Sequence, residues 1–439
     1  MARLARGLVV LATLCALGAA GAGGAAPLLD PIAPPARASF DAAAITRGAE
    51  LAAIGNCAGC HTVRDGSAYA GGVALATPFG VIHGTNITPD AQTGIGAWSL
   101  AAFVRAMREG IARDGSHLYP AFPYDHFTKL TGPDLESLYA YLMTRDPVPA
   151  PNRANDLRFP FNLRPLIAVW NALYLDTAPW RADAAQSAQW NRGAYLAQAL
   201  GHCSACHAPR NALGAEDRRN PLGGGEVEGW YAPALDAKSP SPLRWSVEPL
   251  VTYLRNGVAA DHAVAAGPMQ AVVQALSRVN EADVRALAVY LVSAQGGPGA
   301  EREARAQDSL RRARQGLLAA QPLPPAATPD DEASALLGAS VYLGACAGCH
   351  EAGRGISSSG ALQLSLAVAL HAPDPRSLIR IIREGITPAD GEEGRWMPGF
   401  GDALTDTQIT ALVSHLRRTA AAAPAWPELA RQVRQARSP

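Results

Sequence analysis

The hydrophobic pattern of the chain has one unbroken apolar stretch near its start, followed by helical-period stretches that come round three times. The first runs from Gly7 to Ala20 behind Arg3 and Arg6. Small residues follow as far as Ala26, with Ala20-Gly21-Ala22 among several A-x-A-like sites, and the whole predicts an export signal over residues 1–26. Beyond it, apolar residues at helical spacing lead into three similar segments: Arg47-Gly48-Ala49-Glu50-Leu51, Arg192-Gly193-Ala194-Tyr195-Leu196 and the looser Leu337-Gly338-Ala339-Ser340-Val341. Each is followed by a second helical stretch closed by Gly as C-cap: Phe103 to Gly110, Leu250 to Gly257 and Leu378 to Gly385. Each repeat then ends on a third helix, Pro133 to Met143, Glu281 to Val292 and Asp406 to Arg417; in the first of these, Leu135, Leu138, Tyr139 and Leu142 share a face.

Between the repeats the pattern breaks. Residues 27–39 are rich in Pro and Ala and predict a flexible leader. A first linker, about 146–183, opens on Pro147, Pro149 and Pro151 and holds an apolar helix from Leu163 to Leu175 with Ile167, Trp170, Leu173 and Tyr174. That helix either packs between the first two repeats or offers a partner-docking surface. A second linker, about 296–332, is Arg- and Ala-rich, then Pro-rich, and predicts a helix followed by an extended strap. The tail, 421–439, places Trp426, Leu429 and Val433 on one helical face with Arg431, Arg434 and Arg437 interleaved. It reads as a strap across the third repeat or as an amphipathic helix in a membrane interface. No segment after the leader reaches the roughly 18–20 uninterrupted apolar residues of a span, so attachment to a membrane is expected to be peripheral.

A length of 439 residues suits about three domains, and 48% hydrophobic residues suffice for their cores. The formal net charge is zero, which argues against nucleic acid as a partner found by bulk electrostatics.

Chemistry enters with the cysteines. Six of the seven stand in three C-x-x-C-H motifs: Cys57, Cys60 and His61; Cys203, Cys206 and His207; Cys346, Cys349 and His350. This is the attachment signature of c-type haem, in which two thiols bind the vinyl groups and the adjacent His ligates the iron. A zinc site or a redox dithiol could explain one motif, but three predict three covalently bound haem c groups. The seventh, Cys15, lies inside the leader, and Leu14 before it is too large for a lipoprotein signal. Haem attachment and the export signal together place the mature chain in an exported compartment. A helix before the haem, one beside it and one crossing the first is the pattern of a class I cytochrome c domain. The expected fold is therefore all-α: three such domains in tandem, over 40–146, 183–295 and 333–420, joined by Pro-rich linkers.

The sixth iron ligand of such a domain is usually Met. Met269 follows Gly267-Pro268, 62 residues after His207, and Met397 in Trp396-Met397-Pro398 lies 47 after His350; both precede the closing helix. In the first repeat the same place, 61 residues after His61, holds Phe122. Met107 and Met143 sit in helix patterns and are expected in cores. The histidines nearby are His126, His117 and His83, in that order of preference, and the first would give bis-His iron of low potential; a five-coordinate iron under Phe122 is the alternative.

These residues resemble the three-haem cytochrome c subunit of membrane-bound periplasmic dehydrogenases, which serves alcohol, aldehyde, gluconate and sorbitol oxidation. The likeness runs from about Phe40 to Ala420. It includes Pro78-Phe79-Gly80, Thr85-Asn86-Ile87-Thr88-Pro89-Asp90, Tyr119-Pro120-Ala121, Trp190-Asn191-Arg192-Gly193-Ala194-Tyr195 and Cys206-His207-Ala208-Pro209-Arg210-Asn211. It implies an electron-transfer subunit on the outer face of the inner membrane. Such a subunit accepts electrons from a catalytic dehydrogenase subunit and passes them to quinone, a terminal oxidase or another cytochrome. Phe122 departs from the many members with Met there. The Phe version is most similar to cytochromes accompanying molybdopterin-dependent aldehyde or N-heterocycle oxidoreductases, rather than quinoprotein or flavin dehydrogenases. The competing function is a haem enzyme, a peroxidase or reductase, using an open iron in the first repeat. No matching acid–base set accompanies it.

Overall fold

The computed structural model describes residues 26–297, 299–317, 329–351, 362–387 and 397–437. The export signal with Cys15, and the extended strap expected before Glu332, lie outside them. The chain divides into two compact units, ending and beginning at His202 and Cys203.

In the first unit, α1 (Ala42–Ile54) crosses α3 (Gly132–Met143), and α2 (Leu100–Glu109) lies beside them. The crossing is set by Gly48, where a Cβ would collide with the Ser137 carbonyl and Tyr141. Leu51, Leu135 and Leu138 fill the contact, each at most 1% exposed. Ser99 and Thr131 cap α2 and α3 through their hydroxyls, and Gly110 ends α2 in the left-handed region. Met107 and Met143 are buried, as their helix positions predict.

The linker helix is shorter than expected: α4 spans Leu166–Tyr174. Its inner face rests on the first repeat, where Trp170 meets Tyr124 edge-on and Tyr124 donates its hydroxyl proton to Asn171 at 2.5 Å. Leu166 and Leu173 face outward.

The helix α5 (Ala188–Gln198), which leads the second repeat, falls within the first unit. Tyr195 donates to Asp134 at 2.7 Å and accepts from the Thr131 amide at 3.1 Å, and the His202 ring reaches the Gly55 carbonyl at 3.3 Å. These bonds join residues some 60 to 150 positions apart, which local sequence pattern does not carry.

The second unit holds the rest of the second repeat, from Cys203, and the third. Its first part has α6 (Val247–Asn256), α7 (Pro268–Leu276) and α8 (Glu281–Ala294). After α9 (Ala300–Gln315), α10 (Pro329–Val341) crosses α12 (Asp406–Thr419), with α11 (Arg376–Glu384) alongside. Gly338 repeats the role of Gly48: a Cβ would strike the Ala411 carbonyl. Gly257 ends α6 in the left-handed region, and Gly385 caps α11 at φ 77° with extended ψ, its N–H bonded to the Ile381 carbonyl at 3.0 Å.

Two expectations need correction. The fold is mainly helical but not all-α. The first unit carries an antiparallel sheet of β1 (Ala74–Thr77), β2 (Gly80–His83) and β3 (Asp156–Leu157), and the second has β4 (Gly225–Val227) paired with β5 (Trp230–Ala232) and a further two-residue ribbon. These strands are too short for alternation to show. Also, Pro329–His350 is long and apolar enough to cross a membrane by length and composition. Here it forms α10 and the turns leading to Cys346–His350, packed on α12 through Gly338.

The tail is resolved in favour of the strap. α13 (Leu429–Gln435) buries Leu429 and Val433 in the core with Ile379, Leu412 and Leu416. Trp426 is 6% exposed, donates its indole N–H to the Ala372 carbonyl at 3.1 Å and lies under Arg417. Arg437 pairs with Asp406 at 2.8 Å. The apolar face proposed for a membrane interface is thus committed to this core. Trp426→Ala should cost about 3–5 kcal/mol, read as a fall in denaturant midpoint of the second unit.

The same unit holds three histidines outside the C-x-x-C-H motifs, His262 and His415 buried and His371 partly buried. Burial pushes His262, His371 and His415 down from the usual 6.5 to about 4. Their folded pKa lies below the unfolded one, so the unfolded chain takes the proton first. Stability is full above about pH 6.5 and falls as pH drops towards 4, by up to about 1.4 kcal/mol per pH unit for each histidine. Denaturation at pH 7 and pH 5 should show this loss, and His415→Asn should remove the share that one histidine contributes.

Candidate haem-attachment sites

Each C-x-x-C-H motif forms a short helical turn at the end of its repeat's leading helix: Cys57–His61, Ser204–His207 and Ala347–His350. In the first, Asn56 at φ 46° turns the chain between α1 and the motif. The six cysteines of these motifs are partly exposed and form no disulfide among the described residues. Desolvation, then the neighbouring cysteine, raises Cys57 and Cys203 to about 12 and Cys346 to about 11.

The motif histidines are held in the orientation and tautomer that a metal-bound imidazole needs. The Nδ1–H of His61 donates to the Thr85 carbonyl at 2.6 Å and that of His207 to Pro233 at 2.7 Å; His350 reaches Leu362 at a longer 3.4 Å. A carbonyl accepts only, so each bond fixes the tautomer and leaves Nε2 with a bare lone pair. Burial lowers the pKa of all three, against a smaller rise from these bonds, and keeps them in the neutral form a metal requires. The donor set therefore fits haem c.

The carbonyl partners carry no side-chain identity and were not foreseen, but one was signalled by the Thr85–Asp90 motif. Asn86 is 2% exposed; its amide donates to Val148 O at 2.8 Å and its Oδ1 accepts from Thr88 N and Oγ1. Its own backbone N–H donates to Asn152 Oδ1 at 2.6 Å. The Pro-rich start of the first linker thereby clamps the loop that presents the Thr85 carbonyl.

The Met candidates occupy related places. In the first unit Leu118 N–H bonds the Gly110 carbonyl at 2.7 Å; in the second, Ala265 N–H bonds Gly257 at 2.7 Å. Counting from these bonds, Phe122 stands where Met269 stands, at the start of α7. Met397 is held by two backbone bonds to Ile386, each 2.9 Å, and Gly385 has no room for a Cβ beside the Met397 carbonyl.

Phe122 packs on Phe127 at 5.3 Å. His126 falls in the register of Val273, a core position; it is 5% exposed, with Nδ1 2.8 Å from Gln198 O and its ring 6.3 Å from that of His202. His117 pairs with Ile111 in an isolated bridge, and its pKa is lowered by burial. His83 lies on β2, its amide bonded to Asn155 Oδ1 at 2.9 Å.

Comparison with known proteins matches this geometry. The family model described as cytochrome c covers residues 45–146 and 191–295, and that of the cbb3-type cytochrome C oxidase subunit III covers 333–416. The chain is 48% identical to a nicotinate dehydrogenase subunit of Pseudomonas putida over 93% of its own length but 33% of that protein, so it spans about a third of that relative. It is 36% identical to the fructose dehydrogenase cytochrome subunit of Gluconobacter japonicus, covering 87% of this chain and 80% of the other. With the gluconate 2-dehydrogenase cytochrome c subunit of Pantoea cypripedii it shares 35% identity over 85% of each. With its cytochrome c domains and their histidines seated on backbone carbonyls, the chain belongs to the family of cytochrome c subunits of dehydrogenase complexes.

Proposed function

We propose that the chain is a three-haem electron-transfer subunit. In this reading it takes electrons from a catalytic dehydrogenase subunit and passes them to quinone, a terminal oxidase or another cytochrome, peripherally attached at the periplasmic face of the inner membrane. The observation that carries it is the threefold C-x-x-C-H turn, each with its His neutral and Nδ1 held by a carbonyl. Bound haem supplies a one-electron carrier; the protein supplies attachment, ligands and burial. The domains are assigned as 40–146, 183–295 and 333–420, with Met269 and Met397 as sixth ligands of the second and third irons. Likeness to the nicotinate dehydrogenase subunit supports a partner acting on an N-heterocycle, and we take that partner as molybdopterin-dependent rather than a quinoprotein or flavin dehydrogenase. Purified from native membranes, the chain should bring a catalytic subunit with it and contain three haems by pyridine haemochrome. Substrate of that subunit should reduce them. Two haems per chain, or reduction by dithionite alone, would sink this reading.

The first iron has two readings. His126 as sixth ligand is supported by a ring oriented through Nδ1 on Gln198 O, the same device that orients the proximal histidines. A five-coordinate iron, the basis of a peroxidase or reductase, is favoured by Phe122 in the Met register. We take bis-His as the reading, with the lowest potential of the three. The oxidised protein should then show only low-spin EPR signals. A high-spin signal from one third of the iron would reverse the choice.

A further inference from the structure

The turn Gly267–Gln270 carries Met269, and the rest of the second unit holds it at two points. Gly267, at φ 53°, lies so close to the Trp230 indole that a Cβ would collide with the ring. Only glycine tolerates both that approach and that backbone angle. Trp230, on β5, is 7% exposed, and the Arg380 guanidinium of α11 lies 5.4 Å from its ring centroid. Arg380 in turn donates to the Glu228 carbonyl at 3.1 Å and pairs with Glu384 at 3.5 Å, so its head group is fixed on both sides.

The second point is Gln270, next to Met269, whose side-chain amide donates to the Thr387 carbonyl at 2.9 Å. Thr387 follows Ile386, the residue that exchanges backbone bonds with Met397. The two Met segments are therefore tied to one body. Around them the junction is closed by Ser377, which donates to the Tyr231 carbonyl at 2.9 Å and accepts from its amide at 3.1 Å, and by the Arg376–Glu226 pair at 2.5 Å.

We propose that Arg380, acting through Trp230, and Gln270, acting through Thr387, are positioning residues for Met269. Docking of α11 onto β4 and β5 then sets the sixth ligand of the second iron. The inference rests on Met269 being that ligand. A thioether is a neutral, single-point donor on a side chain with three soft torsions. Its bond to iron lasts only if the backbone carrying it is held in place beforehand. The turn makes that placement through contacts to α11 and Thr387, which belong to the third repeat. Loss of docking thus reaches an iron in the second.

The test uses the full-length, haem-loaded protein, followed by redox titration and by the sulfur-to-iron absorption band. Met269→Ala sets the scale: it should remove one Met's share of the band and lower one midpoint. The double variant Arg380→Ala with Gln270→Ala should lower that same midpoint and reduce the same share of the band at least twofold. Arg380→Lys, which keeps a cation over the indole, should recover part of it. Ser377→Ala, which loosens the same docking of α11 on β5 while keeping Arg380 and Gln270, should shift both in the same direction and by less than the double variant. Suppose Met269→Ala moves band and midpoint while the double variant unfolds at a lower temperature with both unchanged. Then Arg380 and Gln270 merely hold the fold, and the proposal is overturned with the ligand assignment intact. If Met269→Ala itself changes nothing, the ligand assignment fails and the proposal with it. Should Arg380→Ala not fold, Gln270→Ala alone, which removes a single hydrogen bond, decides between the same outcomes.

Discussion

Everything in this fold turns on keeping an imidazole neutral, oriented and out of water. A carbonyl placed about 2.6–2.7 Å from Nδ1 does this for His61 and His207, and it costs the chain two loops that must be held rigidly. Much of the non-helical structure follows from that demand. Asn86 and the Pro-rich linker pin the Thr85 loop. The Pro233 carbonyl belongs to the residue directly after β5, so the β4–β5 ribbon seats it. For His350 the bond is longer, and its acceptor, Leu362, comes directly after a stretch outside the described residues.

The two units solve the same packing problem with the same residue. Gly48 and Gly338 each allow a leading helix to touch the backbone of a closing helix, bringing the C-x-x-C-H turn to a fixed place on that pair. Close backbone approach leaves little freedom for the axes to shift, because a single methyl group would fill the space. A histidine at the end of such a helix inherits that precision.

Much of this was legible in the sequence. Helical periodicity located the three helices of every repeat, and the motif named the cofactor, since both are written in side-chain identity at fixed spacing. Three things were not. The carbonyl acceptors are backbone groups, which any residue supplies. The strands are two to four residues long, with pairing set by turns and neighbours rather than alternation. The tail pattern of Trp426, Leu429 and Val433 is the same whether a bilayer or a core receives it, and only tertiary contact decides. The seat of α5 was hidden for a related reason: Tyr195 meets Asp134 of the first repeat, and nothing near either residue announces the pairing.

The buried tail also gives this part of the chain an order in time. Val433 is fully buried, and Trp426 and Leu429 nearly so, against helices that were synthesised earlier. The cover of that core thus emerges after every cysteine, histidine and methionine named above. A chain interrupted after Thr419 would hold all of those groups, yet would leave Ile379, Leu412 and Leu416 without their cover. Its haem chemistry would be complete on a core still open to water. The hydrophobic contacts that close the core therefore also separate a finished third repeat from an interrupted one.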